Sequence, residues 1–308
     1  MNTKEIMIIK NIKDKTKNEF MTTFKDINFY LKKYKIKAWM DAGLLLKYTR
    51  GQNLYPSSDI DFGVKSGDIK NIILFSNHMK EIGYLVTILG NTSVIFEGIT
   101  IVKKITDDHF ITADIYIYYP LANYYCRPNS HKPLKQSYLA TNLFRVFNKL
   151  NVILNLNFLK KFLVIKKILN YIFFLYAKLY FQIAITSQFA MPKNLLENFK
   201  NIEIDDEKIL IPKNNIKYVE WRYGTDWKIP NKNWRLTDGN MVFLCNLKNY
   251  WNYFCSAPPF VRSEYLLKKS KNNHKSIFSF DDIELEAMKK SKIKSKLFKN
   301  NLIKRSKN

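Results

Sequence analysis

The segment that decides the fold runs from Lys37 to Val64 and reads KAWMDAGLLLKYTRGQNLYPSSDIDFGV. It begins within a short apolar run, Ile36–Met40, that predicts a strand. A helix is predicted directly behind it over Ala42–Tyr48, with Asp41 as the N-cap. Polar and apolar residues then alternate over Asp59–Val64, which predicts a second strand. This succession indicates a core that combines helices with a sheet.

The flanking sequence continues the same pattern. Apolar residues at helical spacing predict helices over Lys17–Lys35 and Gly67–Gly83. Further strands are predicted at Tyr84–Leu89, Ser93–Phe96, Ile99–Val102 and Phe110–Tyr118. We therefore expect an α+β fold with a mixed β-sheet core flanked by helices.

Three carboxylates on predicted strands mark the chemistry of this core. Asp59 and Asp61 are two residues apart, so both side chains point to the same side of their strand. Asp114 is a lone acid in an apolar strand, where a charge is costly unless it is paired, exposed or bound to a metal. Mg²⁺ is commonly held by one or two carboxylates together with substrate phosphates. The sequence therefore predicts a metal site of the nucleotidyltransferase type at these acids.

Two residues near the first predicted helix suit a phosphate group. Gly43 lies at the turn from strand to helix, where free N–H groups of a helix start favour an anion. Arg50 follows the helix and offers a planar guanidinium that matches phosphate oxygens. The alternative for Arg50 is a surface salt bridge with Asp41 or Asp61.

Aromatic and basic residues are concentrated between Ile211 and Trp234, at Tyr218, Trp221, Arg222, Tyr223, Trp227 and Lys228. Such a surface could stack a cytosine or a sugar, or hold a quaternary ammonium group by cation–π contact. The alternative is a small hydrophobic core for an irregular loop, with Tyr223-Gly224 marking a packed turn.

Three blocks of this sequence, in this order, resemble the LicD/fukutin family. The first runs from Asp41-Ala42-Gly43 through Arg50 to Tyr55-Pro56-Ser57-Ser58-Asp59-Ile60-Asp61. The second is the strand that contains Asp114. The third begins at Ile211-Pro212 and includes Tyr223-Gly224, Trp227 and Pro230. The chain departs from the family pattern at Leu44, Lys47, Ser57 and Ser58, where many members have Thr, Gly and two acids.

The resemblance implies a nucleotidyltransferase-like fold and a phosphotransferase. Such an enzyme moves a phospho-alcohol (phosphocholine, ribitol phosphate or similar) from a CDP-activated donor to a sugar hydroxyl and releases CMP. The acceptor would be a cell-surface glycan or its lipid-linked precursor. The implied roles are Mg²⁺ (or Mn²⁺) on Asp59 and Asp61, with Asp114 as third ligand or general base, all three being catalytic. Substrate binding is expected at Gly43, Arg50, Tyr223, Gly224 and Trp227.

Two other functions stay open at this point. One is a nucleotidyltransferase that acts on a small molecule or on RNA, with the basic tail as the RNA contact. The other is a non-catalytic, membrane-associated scaffold that keeps a degenerate fold. Nucleic acid is not the expected partner, because the sequence carries no RNA-stacking signature such as that of an RNA-recognition motif.

Charge and hydropathy predict an association with membranes. The chain has 51 Lys and Arg against 26 Asp and Glu, a net charge of +25 that attracts polyanions or an anionic membrane face. Tyr171–Ala190 is predicted to form one helix with Lys178 as its single charge, which could lie in the membrane interface or line a core, be an ordinary buried helix, or span a bilayer. The preceding lysines, Lys160, Lys161, Lys166 and Lys167, suit anionic head groups. With sparse cysteines as well, we expect a cytoplasmic protein at the inner face of the membrane.

Composition divides the chain into three predicted parts. Residues 1–135 form the nucleotidyltransferase-like core. Residues 136–267 form a helical and aromatic insertion, close to the membrane, that completes the site. Residues 268–308 form a basic tail with 13 Lys and Arg against 4 Asp and Glu, mostly disordered apart from a helix at Asp281–Phe298.

Overall fold

The computed structural model describes residues 3–55, 57, 59–89, 96–105, 110–128, 146, 163–183, 185–231, 234 and 239–256. The chain forms two compact units. Unit 1 comprises Met1–Leu89, Gly98–Tyr119 and Pro192–Lys232, and unit 2 comprises Gly90–Glu97, Pro120–Met191 and Asn233–Asn308. The predicted boundary at 135/136 and the predicted tail from residue 268 lie outside the described residues. Pro192–Lys232 was expected in the insertion and belongs to the unit that contains the acids.

The described strands, in chain order, are β1 Trp39–Met40, β2 Asp59–Lys65, β3 Leu85–Ile88, β4 Gly98–Lys104, β5 Phe110–Leu121, β6 Tyr124–Pro128, β7 Ile185–Pro192, β8 Phe199–Ile204, β9 Glu207–Pro212 and β10 Val242–Asn246. The described helices are α1 Thr3–Lys33, α2 Ala42–Thr49, α3 Ile69–Glu81, α4 Leu163–Ile183, α5 Asn215–Tyr223 and α6 Trp251–Ser256. The fold is thus α+β, as predicted.

The sheet of unit 1 is mixed, with the order β1-β2-β5-β4-β3. Strands β2 and β5 are parallel, whereas β1 on β2, β4 on β5 and β3 on β4 are antiparallel. A mixed sheet was predicted, and the predicted strands that contain Asp61 and Asp114 are confirmed. Of the predicted strand Ser93–Phe96, residues 93–95 lie outside the described part, and Phe96 is not in a strand.

Helix α1 covers one face of unit 1 with the apolar residues that predicted it. Phe20, Phe24, Ile27 and Leu31 are at most 2% exposed, so the helical spacing in the sequence corresponds to the buried face. The helix begins at Thr3, well before the predicted Lys17.

A hairpin of β8 and β9 is the second sheet of unit 1. Its turn residues, Asp205 and Asp206, have φ values of 48° and 67°, as a two-residue hairpin turn requires. Phe199 at the start of β8 packs against Trp39 of β1, with 5.2 Å between ring centroids. The hairpin leads the chain into α5, which carries part of the candidate site.

In unit 2, the apolar stretch Tyr171–Ala190, predicted as one helix, forms the end of a helix and then a strand. Helix α4 ends at Ile183, and β7 then pairs with β10 in antiparallel register, Phe189 opposite Val242. The expectation of one helix through Ala190 is therefore wrong, because Thr186, Ser187 and Gln188 continue the chain as a strand. Among the described helices, none has the length and apolarity needed to cross a membrane.

Candidate active site

The acids predicted to act together lie on neighbouring strands of unit 1. In the parallel register of β2 and β5, Asp61 is opposite Asp114 and Asp59 is opposite Thr112. Residues directly opposite each other in a sheet point to the same face, and so do residues two apart in one strand. The three carboxylates therefore share one face of the sheet.

Hydroxyl groups on the same face orient two of these carboxylates. Thr112 Oγ1 donates to Asp59 Oδ1 at 2.6 Å. Thr100 Oγ1 donates to Asp114 Oδ1 at 2.6 Å, and Tyr116 Oη donates to Asp114 Oδ2 at 3.1 Å. Both oxygens of Asp114 are thus held in place, and lone pairs remain on them for a further partner.

Asp61 is the carboxylate with the least internal support. It is 6% exposed, and the hydrogen bond that the described residues give its side chain is a long one, from Gly43 N to Oδ2 at 3.4 Å. Burial raises its pKa to about 7, and the charges of Asp114, Asp41 and Asp59 act in the same direction. Arg222 opposes them. A buried acid surrounded by acids gains from a positive charge brought to this point.

The surroundings of Asp61 fit a divalent cation with oxygen ligands. In the described part of the chain, no group of three or more His, Cys, Asp or Glu side chains is arranged to hold a metal ion. Asp61 and Asp114 on adjacent strands nevertheless offer the one or two carboxylates that a hydrated Mg²⁺ uses together with substrate phosphates. Asp59 lies two residues before Asp61, and its negative charge contributes to the raised pKa of Asp61.

The start of α2 brings the backbone N–H of Gly43 to Asp61. Ala42 has φ of 46°, a left-handed conformation that is costly for a residue with a side chain. This backbone places the Gly43 N–H against Asp61 Oδ2, and a Cβ added to Gly43 would lie 3.9 Å from the same oxygen. The predicted phosphate contact of Gly43 is therefore at the acidic face, where a phosphate would need a cation beside it.

Asp41 forms a buried polar network that the sequence analysis did not assign to the site. Its carboxylate is fully buried and accepts from Ala42 N at 2.6 Å, Tyr118 Oη at 2.7 Å and Arg222 Nη1 at 2.9 Å, and also from Tyr218 Oη. Burial alone would raise the pKa of Asp41, but the Arg222 charge and the tyrosine hydroxyls outweigh burial and lower it. Asp41 therefore stays charged and is neutralised by Arg222.

This network is joined to the acidic face through the backbone. Asp41 N donates to Asp61 O at 2.9 Å, so the residue that anchors Arg222 also fixes the strand that carries Asp61. The sequence held a partial signal: Tyr218 and Arg222 are four residues apart, so on a helix they share one face. Their common partner, Asp41, is far away in sequence and no local pattern connects them.

Arg50 contacts backbone carbonyls of the loop after α5, which the sequence did not predict. Its Nε donates to Trp227 O at 2.7 Å, and its Nη2 donates to the same carbonyl and to Ile229 O at 3.3 Å. The salt bridge with Asp41 or Asp61, considered as the alternative, is not formed. A phosphate contact stays a prediction and would depend on the remaining Nη1.

The aromatic segment after β9 divides into a part near the acids and a packed part. Tyr223 is half-buried at the end of α5; burial raises its pKa to about 12, with the charges of Asp61 and Asp41 adding to that effect and Arg222 opposing it. Gly224 ends the helix with φ of 92°. Trp227 is 7% exposed, which matches the packed-loop alternative, and stacking of its ring on a substrate stays a prediction.

The structure thus brings Asp59, Asp61, Asp114 and Gly43 to one place in unit 1, with Tyr223 within range of the charge of Asp61, while Arg50, Gly224 and Trp227 belong to the loop that follows α5 and its anchor. No protein-family model matches this chain, and no curated protein matches it either. The resemblance to the LicD/fukutin family therefore depends on the quoted motifs and stays a prediction.

Proposed function

We propose that this protein is a metal-dependent phosphotransferase with a nucleotidyltransferase-like catalytic unit. It moves a phospho-alcohol, such as phosphocholine or ribitol phosphate, from a CDP-activated donor to a sugar hydroxyl of a glycan or its lipid-linked precursor. The observation that carries the proposal is the buried Asp61 carboxylate, which lies beside Asp114 and Asp59 and, among the described residues, accepts one long hydrogen bond, from Gly43 N. A cation that also binds the donor phosphates would stabilise this arrangement.

The reaction breaks the phosphoanhydride bond of the CDP-activated donor and forms a phosphodiester bond to the sugar. The sugar hydroxyl oxygen attacks the phosphorus next to the alcohol, the bond from that phosphorus to the bridging oxygen breaks, and CMP leaves with that oxygen. Mg²⁺ (or Mn²⁺) would supply neutralisation of the charge that develops on the phosphate oxygens. Asp59 and Asp61 are its proposed ligands. Asp114 either completes the metal site or accepts the hydroxyl proton, and Thr100 and Tyr116 hold it in position for both.

Two donor groups lie near Asp61 and suit the substrate phosphates. The Gly43 N–H already points to the acidic face, and the Tyr223 hydroxyl stays protonated because burial raises its pKa to about 12. Arg50, Gly224 and Trp227 support binding from the adjoining loop by fixing its backbone.

The location proposed for this reaction is the cytoplasmic face of a membrane, where the protein is peripheral. The net charge of +25 supports attraction to anionic lipid, and the described helices include none that could span the bilayer.

The test measures CMP release from CDP-choline, CDP-ribitol and CDP-glycerol, with and without Mg²⁺, on wild type and Asp61→Asn. We expect Mg²⁺-dependent release from one donor and a loss of at least about a hundredfold in Asp61→Asn, because the charge that faces the metal is removed. Asp206→Asn removes one acid at the exposed hairpin turn and is the matched control.

Two results would overturn the proposal. Equal turnover by wild type and Asp61→Asn would show that the acidic face is not catalytic. Pyrophosphate release from a nucleoside triphosphate, without CMP release from any CDP-alcohol, would assign the chain to the nucleotidyltransferases instead.

A further inference from the structure

One side of α4 exposes large apolar side chains to solvent. They recur every three or four residues, so they form a single line along the helix, which we call the apolar stripe. The stripe consists of Val164, Ile168, Tyr171, Leu175 and Leu179. These side chains are between 43% and 71% exposed.

Among the described residues of unit 2, the apolar stripe is not part of the buried core. The opposite side of α4 already supplies the buried residues, among them Ala177, Tyr180 and Phe181. Phe181 packs on Trp251 of α6, with 5.3 Å between ring centroids. A surface helix normally carries polar residues on the side away from its core, and exposed apolar patches usually mark an interaction site.

The charged residues in the sequence that contains the stripe indicate the kind of partner. Between Ile115 and Leu196 the sequence has no Asp or Glu, whereas it has eleven Lys or Arg. Lys178 is exposed and lies on the same side of α4 as the stripe, three residues after Leu175. An apolar line with Lys178 on the same side, within a stretch of sequence that has no acids, is suited to a surface that combines hydrocarbon with negative charge.

We propose that α4 docks unit 2 onto an anionic lipid bilayer, with the apolar stripe seated among the acyl chains just below the head groups. The helix lies in the plane of the interface and does not cross it, in keeping with its length and apolarity. Lys178 then meets lipid phosphates. This inference rests on the membrane location in the proposed function and names the surface by which unit 2 would bind there. It can be tested without measuring the reaction.

The test is co-sedimentation of the full chain with vesicles of phosphatidylcholine alone and of equal parts phosphatidylcholine and phosphatidylglycerol. Wild type should bind the anionic vesicles, and high salt should weaken binding without removing it. The stripe variant Tyr171→Ser/Leu175→Ser/Leu179→Ser should bind at least about tenfold less, because each buried apolar group contributes to membrane affinity. The control Leu74→Ser/Leu85→Ser/Ile216→Ser removes three exposed apolar residues elsewhere and should bind as wild type does.

Other outcomes would overturn the inference. Equal binding by the stripe variant would show that charge alone brings the chain to the membrane. Absence of vesicle binding by wild type, with a stripe variant that changes from dimer to monomer in solution, would show that a second copy covers the stripe. Absence of both effects would leave the stripe without a membrane role. CMP release without vesicles should be the same in wild type and stripe variant, so failure of the proposed reaction and failure of docking are separately visible.

Discussion

The ion pair of Asp41 and Arg222 is buried on both sides, with the two side chains at most 6% exposed. Removing one partner leaves an unpaired charge in the core, which costs about 3–5 kcal/mol. We expect Asp41→Ala and Arg222→Met each to lower the free energy of unfolding by such an amount. The double variant should lose clearly less than the sum, because the second substitution removes the charge that the first leaves unpaired. Urea unfolding of the four proteins measures this coupling.

An exposed ion pair of the same unit is the matched control for this cycle. Lys32 Nζ and Glu207 Oε2 are 3.4 Å apart, but the two side chains are 50% and 28% exposed. Exposed pairs contribute at most about 1 kcal/mol, so the cycle of Lys32→Ala and Glu207→Ala should show weak coupling. Additive losses at Asp41 and Arg222 would contradict the network described above.

Arg50 acts through the shape of its guanidinium group. The group spans two backbone carbonyls, those of Trp227 and Ile229, and a lysine ammonium is a compact point charge without this fork. Arg50→Lys and Arg50→Met should therefore both lower the free energy of unfolding, by about 2 kcal/mol. Urea unfolding followed by tryptophan fluorescence measures the loss. If Arg50→Lys kept full stability while its CMP release fell, Arg50 would be the phosphate contact that its position in the sequence first predicted.

Pairing of β4 with β5 depends on one residue without a side chain. Gly98 has φ of 142°, and a Cβ there would lie 1.8 Å from Ile115 O. Gly98→Ala should therefore lower the free energy of unfolding by more than about 3 kcal/mol, since both the backbone and the neighbouring strand would have to shift.

Gly67 is the matched control for this substitution, because it has no atom within 4 Å of an added Cβ and no left-handed φ. Gly67→Ala should change stability by less than about 1 kcal/mol. Thermal unfolding monitored by circular dichroism compares the two variants with wild type. Equal melting temperatures for all three proteins would be inconsistent with the close approach of β4 to β5.

Elements with a local signal were predictable from the sequence, and those that depend on distant partners were not. Helix α2 and strand β2 follow directly from a cap, a helical period and an alternation within one short segment. The end of α4 at Ile183 could not be read in this way, because the residues that follow it directly include no Gly, Pro or charge to end a helix and become a strand by pairing with β10. The register that places Asp61 opposite Asp114 also depends on a pairing over about fifty residues.

The candidate site shows the same division. Asp59, Asp61 and Asp114 could be predicted because an acid in an apolar strand is conspicuous by itself. Asp41 could not, because a residue that caps a helix gives no sign that its carboxylate also anchors Arg222 and two tyrosines. Arg50 could be singled out as functional, but its partners are backbone carbonyls, which carry no sequence signal.

The stability of the whole molecule depends on the ionisation state of Asp61. Burial, together with the charges of Asp114, Asp41 and Asp59, raises the pKa of Asp61 from an ordinary 3.8 to about 7 in the folded chain. The folded protein therefore holds this proton more tightly than the unfolded chain does. The stability that comes from the proton is fully present below about pH 4. It is lost as the pH rises to about 7, and it changes no further at higher pH.

Comparison of wild type with Asp61→Asn isolates this effect, because the asparagine cannot titrate. In buffer with a chelator, the stability of Asp61→Asn relative to wild type should increase between pH 4 and pH 7 by up to about 4 kcal/mol. Addition of Mg²⁺ at pH 7.5 should stabilise wild type and leave Asp61→Asn unchanged, since a ligand that binds only the folded state raises its stability by RT ln(1 + [L]/Kd). Urea unfolding across this pH range, with Asp206→Asn as the control, measures both effects. A difference between wild type and Asp61→Asn that is constant with pH would mean that Asp61 is ionised throughout, and the acidic face would then lack the mutual repulsion that makes it a site for a cation.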